Sequence, residues 1–297
     1  MKKIEDVKIL VVGDLMEDLM IFGSVKRISP EAPVPVVNVT RKTSTLGGAG
    51  NVIRNIASIG AKVSCFSQLG KDQVGKNIRK HLLKIGCDSQ DIIKSNKIIS
   101  TRKTRVMSEF REIQMLRYDE EMISSVYDKS LNKSFKFLSE DFDFIIISDY
   151  AKGMITKDVM NILLSMNIPI IVDPKPSNIY LYNGASVITP NEKEYQEILK
   201  TPNLPDIKYI LNTVGKNGMY LYKTFSDINP THIPTESIEV FNVSGAGDTV
   251  VAALSVCLAM GYSILDSAKI SNQCSKYVVQ QPGTSTVSKN FFKNLLN

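Results

Sequence analysis

Short runs of β-branched and other apolar residues recur along this chain, and amphipathic helical stretches separate most of them. Residues 7–12 form the first run, closing on Gly13-Asp14; residues 62–68, 144–148, 169–172, 186–188 and 209–213 follow. Between them, residues 72–85 and 158–166 carry apolar side chains at helical spacing. Strands this apolar are buried on both faces. Their alternation with helices predicts an α/β fold, a mainly parallel sheet with helices on both faces. Ligands of such sheets bind beyond the carboxyl ends of the strands. Gly47 to Gly50 is expected to open a helix that runs through Asn51, Ile56 and Ile59 to a stop at Gly60. Two stretches break the rhythm: residues 34–40 and 100–118 are rich in β-formers without intervening helices. They are expected to form a small separate β-sheet that covers a site as a lid.

With 297 residues, 43% of them hydrophobic, the chain can bury a large core, and one domain over residues 1–297 is expected. Cys65, Cys87, Cys257 and Cys274 are widely spaced, which fits a reducing compartment better than a disulfide framework or a zinc site. The two histidines are too scattered for a metal centre. His81 shares a helical face with Val74, Ile78, Leu82 and Ile85 and reads as a packing or surface residue. Glu5, Asp6 and Lys8 interrupt the N-terminus before any long apolar stretch, so no signal peptide is expected. The apolar run 250–260 is too short to cross a bilayer. The net charge of +6 is spread along the chain with no basic-aromatic module. A cytoplasmic protein without nucleic-acid or membrane partners is expected.

The most informative segment is Asn242-Val243-Ser244-Gly245-Ala246-Gly247-Asp248-Thr249, which leads into the apolar run. Small residues at a helix entrance let backbone N–H groups approach an anion, and the helix adds its positive end. An acid there opposes a phosphate unless it has work to do, and Asp248 reads equally as a helix cap. Two better-known motifs fail. Gly70 to Lys76 nearly spells a P-loop, but Asn77 stands where Ser or Thr should bind magnesium, and Asp72 would repel phosphates. Ile53 and Val250 prevent a Gly-x-Gly-x-x-Gly fingerprint at either glycine cluster.

Gly245-Ala246-Gly247-Asp248-Thr249 resembles the C-terminal signature of the ribokinase-like (PfkB) carbohydrate kinases, and Gly47-Gly48-Ala49-Gly50-Asn51 resembles that family's sugar-binding signature. The two occur in the family's order, and the resemblance covers nearly the whole chain. Residues 27–36 (Arg-Ile-Ser-Pro-Glu-Ala-Pro-Val-Pro-Val), 148–153, 189–191 and 283–288 further resemble the kinase part of heptose-7-phosphate kinases. That resemblance implies a ribokinase-like fold and ATP-dependent phosphorylation of the anomeric hydroxyl of a heptose 7-phosphate, for surface-glycan precursors. Many such relatives carry an adenylyltransferase domain afterwards, an activity expected to be absent from a chain ending at Asn297. The alternatives are a ribokinase-like kinase of an unphosphorylated sugar or a nucleoside, and a catalytically silent sugar-binding relative.

The same resemblance implies roles for particular residues. Asp248 would be the base, and the backbone of Gly245, Ala246 and Gly247 would stabilise the transferring phosphoryl group. Asn191-Glu192-Lys193-Glu194 matches the family's Asn-x-x-Glu, whose acid organises Mg²⁺ through water; the bland reading of Asn191 and Glu194 is a helix-start pairing. Thr213, Gly215 and Gly218 resemble the nucleotide-binding turn, and Asn272 sits where the last helices approach adenine. For the sugar, Asp14 ends the first strand and Asn51 opens the glycine-rich helix beside Gly47 and Gly48. Lys175 lies at another strand end, where it could meet a phosphate. Lys103 and Arg105 share one face of a lid strand, Arg102 the other. The heptose kinases show a similar Lys-x-Arg, so the Lys103 and Arg105 face is expected to look into the site. The family usually has an acid at the position of Asn242 and often Thr at Ser244, near a monovalent-cation site, which leaves potassium activation in question. Lid strands in the family often pair between subunits, so a homodimer is an open expectation.

Overall fold

Ile9 and Val11 of the first strand lie in one cluster of buried side chains, Leu10 and Val12 in another. All four are fully buried, so this strand is covered on both faces. The computed structural model describes residues 1–110, 113–128, 135–236, 240–281 and 283–296.

In chain order the strands are β1 (Lys8–Gly13), β2 (Leu15–Ile28), β3 (Pro35–Gly48), β4 (Lys62–Gly70), β5 (Ile92–Ser95), β6 (Thr101–Ser108) and β7 (Gln114–Glu120). They continue with β8 (Phe144–Ser148), β9 (Ile170–Asp173), β10 (Val187–Ile188), β11 (Tyr209–Thr213), β12 (Met219–Tyr222) and β13 (Thr231–Ile233). The helices are α1 (Ala49–Ile59), α2 (Gln73–Lys84), α3 (Lys157–Ser165), α4 (Glu192–Ile198), α5 (Ala246–Met260), α6 (Ile264–Val279) and α7 (Lys289–Leu295).

A nine-stranded sheet runs β13-β12-β11-β10-β9-β8-β1-β4-β5. Every neighbouring pair from β11 to β5 is parallel; only β12 and β13 join antiparallel, at one edge. Val52, Ile53 and Ile56 of α1, Ile78 and Leu82 of α2, nearly all of α5 and Phe292 of α7 pack on one face. Val159, Met160 and Leu163 of α3, with Tyr195 and Ile198 of α4, cover the other. The helix starts obey local chemistry. Asp72 accepts the Gly75 N–H at 2.7 Å and Thr156 the Val159 N–H at 3.3 Å, each capping its helix. The near P-loop at Gly70 is therefore the turn and helix start that its sequence implied.

β3, β2, β6 and β7 make a separate four-stranded sheet, in that order. The two stretches expected to form a lid supply three of these strands; residues 111–112 of the second stretch lie outside the described residues. β2, 14 residues long, was not foreseen. Its two faces both meet polar partners, so no apolar alternation marks it. Glu17 bonds Arg102, Ser44 and Asn77 on one side, and Asp18 pairs with Arg105 on the other. The glycine-rich helix also starts later than expected. Gly47 and Gly48 close β3, and Gly48 with φ +56° turns the chain into α1.

Candidate active site

The carboxyl ends of β1, β8 and β9 and the N-termini of α1 and α5 converge below the lid sheet. α5 carries its acid there. Gly245 precedes the helix with φ +82° and brings no side-chain cap. A methyl group on it would lie 2.6 Å from Asn51 Nδ2 and 2.8 Å from Thr284 Cγ2, so both conformation and space demand glycine. Asp248 is 8% exposed. Its Oδ2 accepts from Asn51 Nδ2 at 2.7 Å and its Oδ1 from the Tyr150 hydroxyl at 3.2 Å. Both oxygens thus serve groups from other elements, which a simple cap would not do. Burial pushes this carboxyl up to about 6; the Asn51 and Tyr150 hydrogen bonds resist the rise, the Asp18 carboxylate adds to it, and Lys103 opposes it.

Asp14 and the loop after β8 bring Tyr150 into place. Asp14 is buried, and its carboxylate accepts the backbone N–H groups of Tyr150 (2.9 Å), Lys152 (3.1 Å) and Met154 (3.1 Å). A carboxylate has about four acceptor positions, so most of this one is committed to anchoring the loop. Asp14 was expected to receive sugar hydroxyls; Asp18 is a further acid, one whose charge raises Asp248. Gly47 makes room for it, since a methyl group there would meet Asp18 Oδ2 at 2.2 Å. Gly48 plays a similar steric part against the Asp14 carbonyl.

The lid contributes cations. β2 and β6 pair in parallel with Asp18 opposite Lys103 and Met20 opposite Arg105, which sets Asp18, Lys103 and Arg105 on one face. Arg105 NH1 lies 2.8 Å from Asp18 Oδ1. Lys103 Nζ stands 5.2 Å from the centroid of the Tyr150 ring and Lys175 Nζ 5.5 Å from it, so two ammonium groups attend the ring. Burial draws Lys103 below the ordinary lysine range. Arg102 turns the other way, to Glu17.

Glu194 makes the anticipated helix-start pairing. Its Oε2 accepts from the Asn191 backbone at 3.1 Å while Asn191 Oδ1 accepts from the Glu194 N–H at 3.0 Å, a complete capping box. Its Oε1 lies 3.0 Å from Lys175 Nζ. Asp173, at the end of β9, joins this group. Burial and the carboxylates of Asp248 and Glu194 hold it well above the ordinary range, with Lys175 opposing. Carboxylates that crowd one another this way suit a divalent cation. Among the described residues, however, no three acids, cysteines or histidines converge tightly enough to hold one alone.

At the start of α5, a cavity of about 420 Å³ is lined by Gly215, Lys216, Thr235, Glu236, Ala246 and Asn272 among others. This volume is in the range of small-molecule sites. Gly215 and Asn272, expected at the nucleotide, therefore meet at one cavity that reaches the start of α5. Asn272 is fixed by donating to the Pro234 carbonyl at 3.0 Å. Thr213 and Gly218 shape the adjoining turn instead: Thr213 bridges to Asn191, and Gly218, with φ +83°, passes so close to the Ile233 carbonyl that no side chain fits.

Tyr150, Asp18, Asp173 and Arg54 were not singled out from sequence. Asp173 ends an apolar strand and Tyr150 lies two residues past another, the same strand-end signal that pointed to Asp14 and Lys175. Asp18 lies within a strand that had not been recognised, and Arg54 is one turn into a helix read for its glycines.

The pfkB family carbohydrate kinase model matches residues 7–290. The chain is 38% identical to the bifunctional protein HldE of Citrifermentans bemidjiense, over 95% of the chain and 62% of that relative. It is 36% identical to the bifunctional protein HldE of Campylobacter curvus, over 98% of the chain and 65% of that relative. The chain thus spans less than two thirds of the length of these curated relatives. Among solved structures, phosphofructokinase-2 from Escherichia coli in complex with potassium superposes with a TM-score of 0.78 at 16% identity, covering 98% of this chain and 97% of that one. Ribokinase from Arabidopsis thaliana complexed with ribose and ATP gives 0.76 at 17% identity, covering 98% and 99%. At such identities the structures speak for the fold.

Proposed function

The chain belongs to the pfkB family of carbohydrate kinases, and we propose that it transfers the γ-phosphoryl group of ATP to the anomeric hydroxyl of a heptose 7-phosphate. The observation that carries this reading is Asp248, buried yet held as an acceptor by two donors, beside a lid face bearing Lys103 and Arg105. Asp248 takes the hydroxyl proton; the freed oxygen bonds to the γ-phosphorus as the bond to ADP breaks. Phosphoryl transfer asks for positioning and charge stabilisation. The backbone of Gly245, Ala246 and Gly247, at the positive end of α5, serves the phosphoryl oxygens. ATP occupies the cavity of Gly215 and Asn272, with its phosphates toward Ala246. Lys103 and Arg105 take the 7-phosphate, Arg105 with its fork and Lys103 as a point charge. Asn51, Asp14 and Asp18 meet the sugar hydroxyls, and Lys175 faces the phosphates.

Mg²⁺ bound with ATP would be organised through water by Glu194, beside Asp173, and would neutralise charge on the phosphates. Glu194→Gln is expected to lower activity in a way that added magnesium partly restores, because an outer charge is lost while the nucleotide's own oxygens remain. Titrating activity against magnesium checks this; a dependence identical to wild type contradicts the metal-organising role.

The reading sets the protein in the cytoplasm, where ATP is available. No helix among the described residues is long and apolar enough to cross a membrane, and all four cysteines are free and buried. It also includes pairing of two copies through the lid, whose Val25, Ile28, Val39 and Leu116 are exposed. One observation favours a kinase of a neutral sugar: Arg105 is already neutralised by Asp18, so an acceptor without a phosphate leaves that pair intact. A comparison of phosphorylated and unphosphorylated heptose separates the two.

A further inference from the structure

Asn51 is 2% exposed, and its side-chain amide has two different ends. The nitrogen donates to Asp248, and Oδ1 accepts from Arg54 NH1 at 3.2 Å. The other terminal nitrogen of Arg54 donates to the Thr284 carbonyl at 3.3 Å. A guanidinium can only donate and never loses its charge. A flipped Asn51 amide would set its oxygen against the Asp248 carboxylate and its N–H groups against Arg54, two repulsions at once. The asparagine is also fixed from behind. Asn55 Nδ2 donates to the Asn51 carbonyl at 3.0 Å, and the Thr249 hydroxyl donates to Asn55 Oδ1 at 3.1 Å. Helices α1 and α5 are thereby locked together around the acid, with the orientation of one amide left for Arg54 to decide.

We infer that Arg54 is a positioning residue for phosphoryl transfer: it fixes the Asn51 amide so that a donor faces Asp248, and ties that donor to the C-terminal segment through the Thr284 carbonyl. The inference rests on Asp248 being the base. The other groups facing Asp248 are Asp18 from β2, Lys103 from β6, Tyr150 from the loop after β8 and Asp173 from β9. A substitution at Arg54 leaves each of these in place. It removes a nearby positive charge and releases the amide, and both changes favour the protonated acid.

Arg54→Met keeps the stem and loses every donor. Its profile of kcat/KM against pH is expected to show the acid limb moved up by about one pH unit from its wild-type position near 6, with kcat down about tenfold. The KM for ATP should stay within about twofold, and Arg54→Lys should recover most of the loss. If the methionine chain does not fold, Arg54→Ala carries the same expectation. An unmoved acid limb overturns the inference. That holds if only the melting temperature falls, as for a purely structural residue, and equally if only the KM of the sugar phosphate rises, as for a direct phosphate ligand. Near-normal turnover of Asp248→Asn removes the base and this inference together. An inactive Asp248→Asn beside an Arg54→Met with a wild-type acid limb removes this inference alone.

Discussion

Asp248→Asn is expected to lower kcat by roughly 10²-fold or more while ATP binding persists, because the amide keeps the size of the acid and loses its basicity. Asn51 can still donate to the new side-chain oxygen, and the Tyr150 oxygen can accept from the new amide, so the surroundings need little rearrangement. In wild type, kcat/KM should fall as the pH drops through about 6, where burial has brought this carboxyl. The stability consequence runs the other way. A carboxyl whose folded value is raised from 3.8 to about 6 contributes stability that is fully present below the lower value and lost as the pH rises through the upper one. At neutral pH the ionised, buried acid is therefore a net cost to stability. The asparagine variant should melt no lower than wild type at pH 7. Turnover by stopped assay, nucleotide binding by calorimetry and thermal melts at pH 5 and 7 check the three parts. Near-normal turnover would return Asp248 to a structural role.

Arg105→Ala is expected to raise the KM for a sugar 7-phosphate by roughly tenfold or more, since a hydrogen bond to a charged group contributes about 1.5–3 kcal/mol. The KM for ATP should barely move, because Arg105 does not line the cavity proposed for the nucleotide. The geometry adds a second consequence. Arg105 is paired with Asp18, and Asp18 is one of the acids that raise Asp248. Losing Arg105 frees the Asp18 charge, so the acid limb of the pH profile should also shift upward. Steady-state kinetics with both substrates varied, repeated across pH, measure both effects; an unchanged sugar-phosphate KM contradicts the assignment.

The parallel sheet was legible because inner strands such as β1 and β8 are buried on both faces and read as nearly unbroken apolar runs. The helices were legible through apolar side chains at helical spacing and stops such as Gly60. β2 was not, because Glu17 and Asp18 find partners on opposite faces and leave no apolar alternation to count. That omission carried over to the site. With β2 unrecognised, Asp18 had no face to point from, whereas Asp14 stood at a visible strand end, where it also anchors the Tyr150 loop. The choice of the Lys103 and Arg105 face came from resemblance, since alternation alone sorts residues onto two faces without naming which one looks inward. The geometry supplies what alternation lacked: Lys103 stands over Tyr150, whose hydroxyl bonds Asp248. Arg54 shows a different limit. Its role depends on which end of an amide faces an acid 197 positions along the chain, and no local pattern encodes that.

The proposed activity is tested most directly by offering wild-type protein ATP, magnesium and either heptose 7-phosphate or the free heptose, and locating the new phosphate by ³¹P NMR. The account predicts a product with phosphate on both the anomeric carbon and carbon 7. It also predicts a kcat/KM for the phosphorylated sugar at least about tenfold above that for the free sugar, the difference that one charge-assisted contact to Arg105 can supply. Equal use of the two sugars, or a new phosphate on any other carbon, would contradict it.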